Sequence, residues 1–187
     1  LHLPRSYEDR TSITPLRLLR AGMAAQVEGQ VVAVERGFRG RPMLKVAIED
    51  ASGGPLVLRF FHFRAAQVAQ FAQGVRVRAF GTAKLGPTGL EIVHPSYRVL
   101  ALGEEVALGQ SLDPVYPLVE GIGLATIRKL VAQALDHLPA EGELDIVPVA
   151  WLDALGLPSL RSALLTVHRP GADVDLAGLA AGRHPAI

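Results

Sequence analysis

From Ala25 to Leu100 the chain alternates apolar and polar residues with a period of two, and it breaks that alternation once, for a short stretch at helical spacing. No other feature limits the possible folds so sharply. In Met43–Asp50, Leu44, Val46 and Ile48 share one face while Lys45, Ala47 and Glu49 take the other, the pattern of a half-buried strand. Val77 and Ala79 alternate in the same way with Arg76, Arg78 and Phe80. The pattern predicts strands at 25–36, 43–50, 55–63, 75–84 and 89–100. Between the third and fourth, Arg64–Gln73 carries Val68, Phe71 and Ala72 at helical spacing and stops at Gly74. Three strands, a helix and two strands in about 75 residues is the order of an OB-fold, a Greek-key barrel with the helix at its base.

The flanks read differently. Thr14-Pro15 before Leu16, Leu18 and Leu19, closed by Gly22, predicts a short leading helix with Thr14 as N-cap. After Leu100 the spacing turns helical: Leu124, Ile127, Leu130, Val131, Leu135 and Leu138 form one stripe. Shorter helices are expected at Pro148–Leu155, Ser159–His168 and Asp173–Ala181. The expected class is therefore mainly β with helical additions. A leading segment occupies 1–24, a five-stranded OB-fold Greek-key barrel 25–100, and a helical connector 101–187.

Charge divides the chain at the same place. Residues 1–100 hold 14 lysines and arginines against 7 acidic residues, a net of +7, whereas residues 101–187 hold 5 against 11, a net of −6. The overall charge of +1 conceals this. All 6 phenylalanines also lie in the basic half. Cations that hold phosphates, interleaved with rings that stack on bases, suit single-stranded nucleic acid. Six phenylalanines in a small domain also suit a core.

The segment Leu56–Arg64 refines the choice. Parity puts Leu56, Leu58, Phe60 and His62 on one face and Val57, Arg59, Phe61 and Phe63 on the other. The first set is the better core, which leaves Phe61 and Phe63 outward beside Arg59 and Arg64. The turns Gly37–Pro42 and Lys84–Gly89 join strands 1 to 2 and 4 to 5, the two loops that flank the oligonucleotide face of an OB-fold. They supply Arg39, Arg41 and Lys84.

Several chemistries are excluded or unsupported. Without cysteine there is no disulfide, thiolate zinc site or cysteine nucleophile, and a cytoplasmic protein is expected. No apolar run reaches the ~20 residues of a membrane span. There is no G-x-x-x-x-G-K-[ST] phosphate loop, G-x-S-x-G elbow or H-E-x-x-H motif. Histidines 2, 62, 94, 137, 168 and 184 lack ligand spacing, and adjacent Glu104 and Glu105 diverge too far for an acid–base couple. No catalytic residue, metal site or cofactor is expected in this chain, which begins at Leu1 and reads as a piece of a longer protein.

Some motifs are recognisable as a set. Pro4-Arg5-Ser6-Tyr7-Glu8-Asp9-Arg10, Arg59-Phe60-Phe61-His62-Phe63, Gly81-Thr82-Ala83-Lys84, Glu91–Arg98, Asp113-Pro114-Val115-Tyr116-Pro117 and His168-Arg169-Pro170 occur in order. Together they resemble the N-terminal wedge region of the bacterial RecG ATP-dependent DNA helicases. The resemblance implies a module that binds branched DNA, at replication forks and Holliday junctions. It would split duplex arms there during fork regression, recombination and repair. It also implies a C-terminal helicase motor in the same chain, using ATP and Mg2+. Gly182-Arg183-His184-Pro185 resembles the segment before that motor.

By motif position Phe61 matches the ring that caps the last base pair of a duplex arm, with Phe60 or Phe63 assisting. Some members carry a second ring four residues on, where this sequence has Ala65. Arg39, Arg41, Arg59, Arg64, Arg76, Arg78 and Lys84 are the expected phosphate contacts. Branched and single-stranded DNA are the expected partners, and a single-stranded-DNA-binding protein is a candidate partner. The alternative is an OB module that docks a motor or partner protein, because phenylalanine beside arginine also makes a protein hot spot.

Overall fold

The computed structural model describes residues 3–38, 41–101, 103–105, 107–109, 112–118, 120–171, 174–175, 178–179 and 181–187. Its elements are β1 (Ser6–Glu8), a 3-10 turn (Leu16–Leu18), β2 (Ala24–Phe38), β3 (Pro42–Glu49), β4 (Leu56–Phe60), α1 (Ala65–Ala69), β5 (Arg76–Gly86), β6 (Gly89–Val93), β7 (Ser96–Leu100), β8 (Asp113–Val115), α2 (Leu124–Asp136), α3 (Val149–Leu155) and α4 (Leu160–His168). The chain forms two compact units, Ser12–Gly109 and Leu1–Thr11 with Gln110–Ile187.

The Ser12–Gly109 unit holds a six-stranded sheet in the order β2-β3-β4-β6-β5-β7, and a further β2–β5 pairing brings its ends round. It is an OB-type sheet with partial ring closure rather than the strict five-stranded barrel expected. The last expected strand is two: the chain breaks between β6 and β7 at His94, whose φ is 50°, and Pro95. A positive φ at a residue other than glycine cannot continue a strand.

Alternation fixed the inner face. Leu44, Val46, Ile48, Leu56, Leu58, Val77 and Ala79 are each 1% exposed or less. Phe60, Val68, Phe71 and Ile92 join them in one cluster. Strand β2 serves two neighbours, pairing β5 through Ala24–Gln30 and β3 through Gln30–Phe38, with a register shift between Val31 and Ala33. Gly29 sits at that crossover because a Cβ there would lie 2.8 Å from the Glu49 carbonyl oxygen. The expected N-cap at Thr14 does not form. Asp50 Oδ2 instead accepts the Leu16 amide at 2.9 Å, and its other oxygen holds Ser52.

In the other unit β1 pairs antiparallel with β8. Glu8 binds Arg10 at 2.9 Å and Arg128 at 3.1 Å, while Arg10 also reaches Asp113 at 3.3 Å. Tyr7 donates to the Val167 carbonyl at 2.9 Å, and Tyr116 lies 2.8 Å from His168 Nδ1. Burial raises the Tyr116 hydroxyl to about 12. Gly156, in the left-handed conformation, ends α3, and the Ser159 hydroxyl caps α4 by accepting the Ser162 amide. Ile127 and Leu135 of the α2 stripe are buried, but Leu130 is 55% exposed. The expected Asp173–Ala181 helix falls partly outside the described residues.

Candidate nucleic-acid interface

Strand β4 ends at Phe60, so the parity that assigned Phe61, His62 and Phe63 stops before reaching them all. Phe60 is 3% exposed, and its ring packs 5.8 Å from Phe71 and 5.5 Å from Tyr97. A ring held in that core cannot meet a base, which removes Phe60 from the expected stacking set. His62 is exposed rather than inward, because the strand has ended. Phe63, expected outward, is half-buried against the core cluster.

Phe61 is partly exposed and stands between two hollows of the same unit. The larger, of about 720 Å³, opens toward Phe63, Arg64, Gln67, Gln70 and Tyr97. The smaller, of about 290 Å³, opens toward Met43, Lys45, Arg59, Pro87 and Thr88. Arg41 and Phe61 line both. The Arg41 guanidinium lies over the Phe61 ring, 3.6 Å from its centroid, a cation–π contact. His94 backs the ring at 5.7 Å and stacks on His62 at 6.0 Å.

The expected phosphate contacts separate into two groups. Arg59 is ion-paired to Glu91, both nearly buried at 14% and 10% side-chain exposure. Arg76 and Arg78 converge on Glu28, Arg78 at 2.9 Å. Burial pushes the Glu28 carboxyl up, but hydrogen bonds and charge from the two arginines hold it below the ordinary carboxylate range. Two carboxylates offset part of the charge of these three cations, which are held in ion pairs within the sheet rather than standing free as expected. Arg41, Arg64 and Lys84 are exposed and form no ion pair among the described residues. Arg39 lies outside the described residues.

Sequence reasoning did not find Tyr97, Gln67 or Gln70, which share the larger hollow with Phe63. Tyr97 donates to Gln70 Oε1 at 3.1 Å, joining β7 to the residue after α1. Helical spacing of Gln67 and Gln70 after Arg64 was the signal available. Among the described residues no three His, Cys, Asp or Glu side chains gather into a group that could hold a metal ion. Among those residues, too, no helix is long and apolar enough to cross a membrane.

An OB-type sheet that places a partly exposed ring, Phe61, in one hollow with the exposed Arg41 and Arg64 has the make-up of a nucleic-acid-binding module. The chain belongs to the RecG wedge domain family, whose profile matches residues 1–138. It is 44% identical over 186 residues to the ATP-dependent DNA helicase RecG of Escherichia coli K12, covering 100% of this chain and 26% of that protein. It is 39% identical over 185 residues to RecG of Haemophilus influenzae, covering 99% of this chain and 26% of that one. Among solved structures it is similar to RecG bound to a three-way DNA junction, with 26% identity and a TM-score of 0.67 over 97% of this chain and 25% of that one. The chain thus spans about a quarter of the length of the curated relatives it matches.

Proposed function

We propose that this chain is the branched-DNA-binding wedge of an ATP-dependent DNA helicase. It engages replication forks and Holliday junctions, and it holds duplex arms apart while a motor elsewhere in the same longer chain, using ATP and Mg2+, drives fork regression in recombination and repair. Such a protein works in the cytoplasm. The observation that carries this reading is Phe61, a partly exposed ring that partitions two hollows beside exposed cations. A ring stacks on any base, so separation proceeds through any sequence. A relative's structure on a three-way junction supports the same ligand class.

A salt titration of the 187-residue chain on a three-way fork and on plain duplex tests this. Each phosphate neutralised on single strands contributes about −0.7 to the slope of log K against log salt. Arg39, Arg41, Arg64 and Lys84 together predict about −3, against about −5 if all seven expected cations engaged. Fork preference with the shallower slope supports the reading. Equal binding to fork and duplex contradicts it and favours a protein-docking module.

A further inference from the structure

Arg41 is an expected phosphate contact whose guanidinium lies over a ring, that of Phe61. We propose that Arg41 acts through Phe61, as the outer layer of a two-layer blade, so that what its charge contributes depends on the ring. The inference rests on the wedge reading above and goes beyond it.

Three observations carry it. The guanidinium carbon lies 3.6 Å from the ring centroid, close to van der Waals contact, so one face of Phe61 is already covered. Arg41 forms no ion pair among the described residues, so no carboxylate competes for its charge. Arg41 and Phe61 also line both hollows, which makes their stack the partition between them. A guanidinium is planar, weakly hydrated and permanently charged, and it stacks on aromatic faces. An unpaired base that reaches this side of the blade meets the guanidinium before it meets the ring. Arg41 is thus a positioning residue: it aims the Phe61 ring, thickens the partition and brings positive charge to both hollows. A lysine would keep the charge and lose the plane.

A double-mutant cycle on the 187-residue chain with a three-way fork decides the matter, with thermal melts confirming that each variant folds. Phe61→Ala is expected to weaken fork binding about tenfold and Arg41→Ala about fivefold. If the two residues form one blade, the double variant loses about tenfold, the same as Phe61→Ala alone, instead of about fiftyfold. Arg41→Lys is expected to keep the wild-type salt slope while binding as weakly as Arg41→Ala. A multiplicative double variant, or full rescue by lysine, overturns the blade and leaves the wedge reading standing. No effect of Phe61→Ala overturns both.

Discussion

Phe60 and Phe61 are adjacent in the chain, yet the first is 3% exposed inside the sheet and the second borders both hollows. Removing the buried ring leaves a cavity beside Phe71 and Tyr97. Phe60→Ala should therefore cost about 3–5 kcal/mol of stability, read as the shift in denaturation midpoint. A cost below about 1 kcal/mol would show that the ring is not part of the core. Parity distinguished these two rings in the sequence because Leu56, Leu58 and Phe60 formed the stronger apolar set. It mistook Phe63, which lies beyond the strand end, where alternation no longer reports direction.

Glu28 is the second residue whose role emerges only in the fold. Its register brings it opposite Arg78 on β5, with Arg76 nearby, a pairing no local pattern announces. Its carboxyl is lowered in the folded chain, so its stabilisation is complete above the unfolded value of about 4.3 and disappears as pH falls through the lower folded value. Glu28→Gln should be less stable than wild type at pH 7 by about 2 kcal/mol. Thermal melts between about pH 7 and pH 3 should show that gap closing in acid. A gap that stays constant with pH would remove the charge from the account.

Among elements, β2 shows what limits a reading by period. Alternation predicts a strand there but not that it changes partner at Gln30, with a register shift just beyond. The close approach of β2 to Glu49 leaves no room for a side chain at position 29. Gly29→Ala should destabilise the sheet by about 1–3 kcal/mol, since the obstacle is backbone rather than a movable side chain. Unchanged chemical denaturation would contradict the tight crossover. The β6–β7 break was marked in the sequence by Pro95, which has no amide to give the ladder, although the positive φ of His94 beside it has no signature in side-chain polarity. The β1–β8 pairing joins distant segments, so no window along the chain contains it. Three motifs that carried the family resemblance meet in that unit. Glu8 and Arg10 pair with Arg128 and Asp113, and Tyr116 meets His168. Those motifs hold that unit together.

At the scale of the whole molecule, the +7 of the first hundred residues overstates what DNA could meet. Arg59, Arg76 and Arg78 are ion-paired within the sheet, so a count of charge overstates the cations that stand free. Arg41 and Arg64 are the exposed members of the expected set that line a hollow with Phe61. In the proposed function this ring, and not the general positive charge, sets a preference for branched DNA. The most direct test compares wild type with Phe61→Ala in titrations on a three-way fork and on duplex of the same length. Phe61→Ala is expected to bind the fork about tenfold more weakly, with little change on duplex and an unchanged melting temperature. Equal losses on both, or none on the fork, would contradict it.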